Sequence, residues 1–492
     1  MMSTVAAILS SLEVPDMPRV YALGPLAANV TFASQQCRAF NLIWALFSSN
    51  SLKQGSTIAV VGGGLGGLTT AAAAALKGCK VSLFECSDQL LPHQRGNHTR
   101  LIHPRVYEWP ADGWSIPSTK FPLLNWTAGT ADRVVRRIED EWKLVANHHV
   151  TVHLDTKVEP ITDYRSERPV LSTTPGYTQR SFDVVVLATG FGEERTVRGL
   201  PPRSYWENDS LHQAVYSSGS RPQRVLVTGC GDGGLVDTLR LCIKNFDHKE
   251  FVEFAFNPSE IEAVKEFLLN IEGRLVSQRM PDPEHFLMEE YSELHVPEGV
   301  VERLQKRLRP DTEIVLNGSA PNPLNPRASI MHRFLTFLLL KICADGKHKT
   351  LTYVRGRVQE PVSRTEDRWK VSIQRPDAAE PTVSEFDSVI VRHGPQPSIT
   401  ALLPVNVGKR LRERSFLGVD PSTFISWPDD FYPVLSPGAD GIQSARPLDG
   451  RHRYPASDLH RALDKTLAGF LRTGPLERAA GVAENGLGSK ES

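Results

Sequence analysis

Five glycines within six positions follow a short run of β-favouring residues, in the stretch STIAVVGGGLGGLTT that begins at Ser56. Three of them, Gly62, Gly64 and Gly67, have the spacing G-x-G-x-x-G. In such a turn the first glycine permits a tight bend, the second lets a pyrophosphate approach the backbone, and the third lets the helix pack on the strand. The free N–H groups at the start of that helix attract phosphates. The stretch therefore predicts a dinucleotide site.

An acidic residue at the end of the next strand agrees with this interpretation. The predicted strand 80–85 ends at Glu85, about twenty residues after the glycines. A carboxylate there accepts both hydroxyl groups of an adenosine ribose and repels a 2′-phosphate. The site is thus expected to bind FAD or NAD rather than NADP. The alternative is a tight turn with a solvated glutamate.

The same glycine spacing recurs at Gly229, Gly231 and Gly234, after a predicted strand 223–228. We expect the next strand at Phe251–Phe256, and no acidic residue ends it. Asp232 lies inside the turn, where it is expected to face a phosphate unfavourably. This second motif predicts either an altered NAD(P)H site or a domain that keeps the fold and binds no nucleotide.

The repetition extends beyond the glycine turns. Residues 350–362 parallel residues 150–161, and residues 386–394 parallel residues 182–190, so that each copy has a strand meander and a closing strand. Both closing strands begin with Phe-Asp and end in glycine. The sequence predicts an α/β fold with two Rossmann-like three-layer dinucleotide-binding domains, β-meander crossovers, a mainly helical insertion and a C-terminal extension.

The predicted boundaries follow these patterns. They are a lead-in helix in 1–54, an FAD-binding domain at 55–200, a second dinucleotide-binding-like domain at 201–400 with an insertion at about 255–345, a C-terminal extension at 401–474 with a helix at 457–472, and a disordered tail at 475–492.

Composition narrows the classes of protein. Lys+Arg and Asp+Glu are both 56, and this balance argues against a nucleic-acid partner. The N-terminus lacks the basic region of a signal peptide, and the alanine run 71–75 is too short to cross a membrane. We expect a cytoplasmic protein with a small-molecule substrate, and leave a homo-oligomer open.

The six cysteines have no C-x-x-C spacing, so neither a redox pair nor a zinc site is indicated.

The repeated layout resembles the flavoproteins with two dinucleotide-binding domains, a group that includes glutathione-reductase-like enzymes and flavin monooxygenases. The resemblance rests on the first glycine motif with Glu85, the closing strand 184–192 and the second glycine motif. It implies FAD as cofactor, with NAD(P)H as an open second assignment. It also implies that the strand end Ala188-Thr189-Gly190 lies near the cofactor. The lack of a C-x-x-C pair argues against the disulfide-reductase branch.

The segment 94–109 is predicted to form a wall of the flavin pocket. His98 and His103 could shuttle protons there, because imidazole titrates near neutral pH. Arg392 and His393 end the second closing strand, where Arg392 could stabilise negative charge or form a salt bridge between domains. The predicted catalytic residues are His103, Arg392 and His393, and the predicted cofactor-binding residues are Gly62, Gly64, Leu65, Gly66, Gly67, Glu85, Asn97, Thr99, Arg100, Val158, Ala188, Thr189, Gly190, Gly229, Gly231 and Gly234.

Three functions remain open at this point. The first is an FAD-dependent oxidoreductase that NAD(P)H reduces and that passes electrons to oxygen or an organic substrate. The second is an FAD-dependent oxidase or dehydrogenase that takes hydride from an amine or alcohol without a nicotinamide. The third is a flavin-bound scaffold or sensor with no catalytic activity.

Overall fold

The structure is a computed structural model. It describes residues 4–24, 30–146, 150–162, 168–176, 178–190, 192–211, 221–277, 280–344, 350–396, 398–415, 427–428 and 431–432. The helix expected at 457–472 and the tail at 475–492 lie outside these residues.

The described helices are α1 (Thr4–Leu12), α2 (Phe32–Ser48), α3 (Leu65–Leu76), α4 (Ala131–Ala146), α5 (Asp232–Cys242), α6 (His248–Ala255), α7 (Pro258–Ser277), α8 (Pro283–Glu293), α9 (Glu298–Lys306), α10 (Ile330–Ala344), α11 (Ile399–Leu402) and α12 (Val405–Ser415), with one 3-10 turn at Val106–Glu108.

The described strands are β1 (Val20–Ala22), β2 (Thr57–Val61), β3 (Lys80–Phe84), β4 (Leu101–Ile102), β5 (Gly129–Thr130), β6 (Val150–His153), β7 (Lys157–Val158), β8 (Val170–Thr174), β9 (Thr178–Ser181), β10 (Val184–Leu187), β11 (Gln223–Thr228), β12 (Thr312–Gly318), β13 (Leu351–Arg355), β14 (Arg357–Val358), β15 (Ser363–Thr365), β16 (Arg368–Gln374), β17 (Thr382–Phe386) and β18 (Ser388–Val391).

The first half of the chain forms a five-stranded parallel sheet with the order β1-β10-β2-β3-β6. Its central strands are continuous apolar runs, as is usual where helices cover both faces of a sheet. The segment expected as a lead-in helix contributes to this sheet, because β1 pairs with β10 at the edge. Helix α2 then packs on α3, the helix that follows the first glycine turn.

The second half repeats this arrangement with four parallel strands in the order β13-β12-β11-β18. The expected strand at Phe251–Phe256 is wrong, because this stretch forms helix α6. Its buried positions Phe251, Val252 and Ala255 have the spacing of one helical face rather than of a strand. The strand that follows α5 in the sheet is β12, so the helical insertion ends before residue 312 rather than near 345.

Antiparallel strands form a small meander in each half, as the repeat predicted. Strands β7, β8 and β9 form one, and β14 to β17 form the other around β16. Near the C-terminus, Trp427 and Tyr432 pack on Phe40 of helix α2. These features confirm the predicted fold class: two Rossmann-like units with meander crossovers and a mainly helical insertion. Among the described residues, no helix is both long and apolar enough to cross a membrane.

Candidate active site

The first glycine turn has the backbone form that a pyrophosphate needs. Gly62 has a φ of 113°, and a Cβ atom there would overlap the carbonyl of Ala188. A Cβ atom on Gly67 would overlap the carbonyl of Gly62. At Gly64, by contrast, none of the described residues beyond its two chain neighbours has an atom within 4 Å of the place that a Cβ atom would take. The outer glycines therefore close the turn, and the middle glycine leaves open space at the start of α3.

Glu85 lies beside this turn and is only 6% exposed. The N–H of Gly63 donates to its Oε2 at 2.6 Å, and Ser87 donates to Oε1 through its N–H and its hydroxyl, each at 2.8 Å. These bonds fix the carboxylate at the end of β3. The thiol of Cys86 also donates to Oε1 at 3.3 Å, whereas among the described residues Oε2 accepts only the N–H of Gly63, so Oε2 keeps an acceptor position for a ribose hydroxyl group.

The closing strand β10 places Thr189 against the same turn. The Cα of Thr189 lies 3.2 Å from the place of a Cβ atom on Gly62. Its hydroxyl oxygen is buried and has no hydrogen-bond partner among the described residues. A buried hydroxyl of this kind is normally satisfied. This unsatisfied oxygen, the open space at Gly64 and the fixed carboxylate of Glu85 fit a bound dinucleotide.

The second glycine turn repeats the first closely. Gly229 has a φ of 117°, against 113° at Gly62, and its Cβ position is blocked by the carbonyl of Arg392. Gly234 is blocked by the carbonyl of Gly229, and Gly231 faces open space. The sequence suggested an altered motif, but the backbone of this turn is intact.

The two turns differ at the ribose position. The N–H of Gly62 donates to Phe84 and that of Gly229 donates to Asn317, both at 2.8 Å, so Gly318 stands where the first half has Glu85. A Cβ atom on Gly318 would lie 2.6 Å from the sulfur of Cys230, which burial keeps protonated by raising its pKa to about 12. This end of the second turn therefore has no carboxylate.

Asp232 opens helix α5 at the position that Leu65 has in helix α3. Its Oδ1 lies 2.6 Å from Nδ1 of His332, and the hydroxyl of Tyr107 donates to its Oδ2 at 2.6 Å. Burial would raise the pKa of Asp232, but the charge of His332 and these hydrogen bonds lower it well below its usual value. The carboxylate is thus held by its own partners, which weakens the expected repulsion of a phosphate.

A second histidine extends this network. Nε2 of His248 lies 2.8 Å from Nε2 of His332. Burial and the charge of His332 lower the pKa of His248 to about 3, with His103 contributing in the same direction, so His248 is neutral at ordinary pH. The predicted residue His103 thus acts electrostatically on this cluster, and its ring lies 6.3 Å from that of Trp114.

A buried cluster of charges joins the two halves of the molecule. Asp237 of α5 has no exposed side-chain surface, and it pairs with Arg100 of the first half and with Nε of Arg392 at 2.8 Å. Arg100 and Arg240 also contact Asp209, at 3.0 and 2.7 Å. Burial would raise the pKa of Asp237, but the neighbouring guanidinium groups lower it. Arg240, three residues after Asp237 on the same helix, lies 3.6 Å from it and is also part of this cluster.

Several predicted site residues have structural partners in this region. Arg100 pairs with Asp237 across the two halves, whereas Arg392 pairs with Asp237 inside the second half, so the pair of Arg392 is not the salt bridge between domains that one interpretation expected. Nε2 of His393 lies 2.9 Å from the hydroxyl of Thr228. The side chain of Asn97 accepts the N–H groups of Thr99 and Arg100 at 3.0 and 2.7 Å, so it shapes the loop.

The other predicted residues lie in the first half of the molecule. Leu65 and Val158 are buried in apolar cores, Gly66 faces Leu23 and Gln35, and Gly190 has a φ of 66° next to Thr189.

Sequence analysis missed Tyr205, whose ring lies 4.1 Å below the guanidinium of Arg100 and also contacts Gly233. It also missed Asp209, His248 and His332. The histidine and charged partners of these three residues are 84 residues or more away along the chain, except that Asp209 and Arg240 are 31 residues apart. No local spacing signals such contacts.

Residues 56–236 match the family model described as pyridine nucleotide-disulphide oxidoreductase. This stretch is less than half of the 492-residue chain and contains both glycine turns. The match confirms the predicted resemblance to the FAD- and NAD(P)-binding oxidoreductases. It also confirms the predicted enzyme class, an FAD-dependent oxidoreductase. No curated protein matches the chain.

Solved structures with a similar arrangement include three oxidoreductases. They are the bacillithiol disulfide reductase of Staphylococcus aureus (13% identity, 71% of this chain and 80% of that chain, TM-score 0.37), the ornithine N-hydroxylase of Kutzneria sp. 744 (13%, 71% and 83%, 0.37) and the thioredoxin reductase of Lactococcus lactis (12%, 85% and 99%, 0.38). Because the identities are 12–13% and the TM-scores are 0.37–0.38, these structures assign no function to any residue of this chain.

Proposed function

We propose that the chain is an FAD-dependent oxidoreductase that NAD(P)H reduces and that passes electrons to oxygen or an organic substrate. The observation that carries the proposal is the repeated backbone of the two glycine turns. Each has a blocked first and third glycine and an open middle glycine, Gly64 or Gly231. Two such turns in one chain supply one place for the flavin dinucleotide and one for a nicotinamide dinucleotide.

The first turn is assigned to FAD because of its ribose end. Glu85 would accept the ribose hydroxyl groups, the N–H groups at the start of α3 would bind the pyrophosphate, and the hydroxyl of Thr189 would donate to the cofactor. When bound, FAD supplies the hydride and electron chemistry. The protein's own contribution is to orient the cofactor and to hold the charges at the junction between the two sheets.

The second turn is assigned to the nicotinamide nucleotide. Gly318 leaves its ribose end without a carboxylate, so a 2′-phosphate meets no repulsion there. Arg355 of β13 is the residue that pairs with Gly318 of β12, and it adds a positive charge at this edge of the sheet. We therefore expect NADPH to bind at least as tightly as NADH.

Anaerobic mixing of the purified protein with NADH or NADPH tests this function. The proposal expects the visible absorbance of the flavin to bleach with one or both nucleotides. A Gly231→Ala variant should keep the flavin and lose this bleaching, because its new methyl group fills the open space in the second turn. A flavin-containing protein that neither nucleotide reduces would overturn the assignment of the second turn.

One observation favours a second candidate, an oxidase or dehydrogenase that works without a nicotinamide. Tyr107 and Tyr205 both lie against the second turn, the first on Asp232 and the second on Gly233. If these side chains keep nucleotides out, NAD(P)H leaves the flavin oxidised, whereas an amine or alcohol substrate bleaches it. The same anaerobic experiment, repeated with such substrates, separates the two candidates.

A further inference from the structure

Glu194 lies where the chain crosses from the first half of the molecule to the second. It follows the end of β10 by a few residues, and its linker pairs with the linker that leaves β18. Glu194 forms an antiparallel bridge with Pro395, and the N–H of Arg195 donates to Gly394 at 3.1 Å. β10 supports the first glycine turn and β18 supports the second, so Glu194 lies in the paired linkers that leave the supports of the two predicted nucleotide sites.

The carboxyl group of Glu194 has a buried oxygen atom that lacks a hydrogen bond from the described residues. Its Oε2 is buried and has no hydrogen-bond partner within the described part of the chain. A buried polar atom without a partner is uncommon in a native structure and often marks a site of function. Glu193, its neighbour in sequence, is exposed by comparison.

Charged groups on three elements act electrostatically on the carboxyl group of Glu194. They are Arg392 at the end of β18, Asp237 of α5 and Arg100 of the loop from the first half. Burial raises the pKa of Glu194; Arg392 and Arg100 oppose this shift, Asp237 adds to it, and the pKa remains raised. The proton of this carboxyl group is therefore held to a higher pH than that of an ordinary glutamate.

We propose that Glu194 is a redox-linked proton carrier, a carboxyl group that takes up a proton when the flavin bound at the first turn is reduced and releases it when the flavin is reoxidised. This proposal rests on the proposed function, because it needs a flavin at the first turn. Hydride transfer brings two electrons and one proton to the flavin and so adds one negative charge. That charge raises the proton affinity of a nearby carboxylate, which then takes a proton from solvent.

The consequence is a measurable link between potential and pH. Glu194 then has a higher pKa in the reduced enzyme than in the oxidised enzyme. At a pH between these two values, each reduction is accompanied by the uptake of an additional fraction of a proton. The midpoint potential must then fall more steeply with pH in this interval than outside it. Glu194 acts here through charge and proton uptake and is a positioning residue, not a group that reacts with substrate.

The test measures the midpoint potential of the FAD-loaded protein against pH, together with the proton uptake on reduction in weakly buffered solution. The wild type should show the steeper interval and the additional proton uptake. A Glu194→Gln variant, which has the same shape and cannot titrate, should lose both. Glu194→Asp should keep the steeper interval at a shifted pH. Glu193→Gln is the matched control and should behave as the wild type.

Two results would overturn the proposal, and they differ. If Glu194→Gln binds FAD and gives the same potential–pH curve as the wild type, Glu194 is not linked to the redox state, and the proposed function stands. If the wild type takes up no FAD, both proposals fail. The thermal midpoint of each variant shows whether it is folded. If Glu194→Gln is not folded, the potential–pH curves of Glu194→Asp and Glu193→Gln are compared instead. A steeper interval that is shifted only in Glu194→Asp supports the proposal, and identical curves overturn it.

Discussion

The two glycine turns have the same backbone and different surroundings. The φ angles of Gly62 and Gly229 differ by only a few degrees, at 113° and 117°, and the middle glycine of each turn faces open space. Around this common frame the first turn has a buried carboxylate, Glu85, and an apolar residue at the helix start. The second has Gly318 at the ribose position and a paired aspartate, Asp232, at the helix start.

This difference indicates what each part of the motif specifies. The outer glycines fix the shape of the turn, because any side chain there meets the protein's own carbonyl groups. The residue at the end of the next strand selects the ribose, and it can change without disturbing the turn. The second glycine motif therefore keeps the backbone of the first turn without its acidic residue, and we propose that it prefers another nucleotide.

The largest effect is expected at the third glycine. In Gly67→Ala the new methyl group overlaps the carbonyl of Gly62, so the turn must open. We expect a loss of about 3 kcal/mol or more in the free energy of unfolding, seen as a lower thermal midpoint. With all proteins compared in the FAD-free form, Gly64→Ala is the control, because its methyl group enters open space and should leave the midpoint almost unchanged. Equal midpoints for the two variants would contradict the described geometry.

The next effect concerns the contact that joins the two halves. Arg100→Met removes one of three guanidinium groups around the buried Asp237 and leaves Arg392 and Arg240 in place. Removal of one partner from a buried ion pair is strongly destabilising, and with two cations remaining we expect about 2 kcal/mol.

Thermal unfolding and limited proteolysis measure this second effect. Arg137→Met is the control, because Arg137 forms an exposed pair with Glu141, worth about 0.5 kcal/mol or less. If the two variants unfold at the same temperature, the cluster around Asp237 does not stabilise the junction.

The third effect sharpens the comparison at the ribose position. Glu85→Gln keeps the size of the side chain and removes its charge, so the affinity for FAD should fall about tenfold, since a hydrogen bond to a charged group is worth about 1.5 kcal/mol or more. Titration of the apoprotein with FAD, followed by flavin fluorescence, measures this change. Asp88→Asn, an exposed neighbour, should bind FAD as the wild type does. An unchanged affinity in Glu85→Gln would remove Glu85 from the site.

The smallest effect depends on pH. The pKa of Asp232 is lowered in the folded protein, so its stabilising contribution is present above the unfolded value of about 3.9 and is lost as the pH falls below it. Asp232→Asn should therefore lower the unfolding free energy by about 1 kcal/mol at neutral pH and by less in acid. Thermal midpoints of both proteins across this range test the sign. A difference that grows toward acid pH would contradict it.

The sequence predicted what local patterns determine. Glycine spacing, the apolar strands on either side and the repeated Phe-Asp strands specified two Rossmann-like units, and the turn at Gly62 has the expected form. The edge strand Val20–Ala22 escaped prediction because three residues carry too little pattern to distinguish a strand. The stretch at Phe251 predicts a strand because its apolar residues lie close together in sequence, but it forms helix α6.

The candidate site was harder to predict because its contacts are distant in sequence. Arg100 and Asp237 are 137 residues apart, and Tyr107 and Asp232 are 125 apart. The segment 94–109 is rich in polar and aromatic residues that suit a cofactor pocket, yet the structure uses several of them to join the halves. Composition shows that a side chain can bind a charge, whereas only the folded arrangement shows which charge it meets.

The central claim is that the first turn binds a flavin dinucleotide and the second turn does not. The most direct measurement is the visible absorbance of three purified proteins after incubation with FAD and removal of excess: the wild type, Gly64→Ala and Gly231→Ala. We expect flavin bands in the wild type and in Gly231→Ala, and we expect Gly64→Ala to be folded but colourless. A colourless wild type, or a Gly64→Ala variant that retains as much flavin as the wild type, would contradict it.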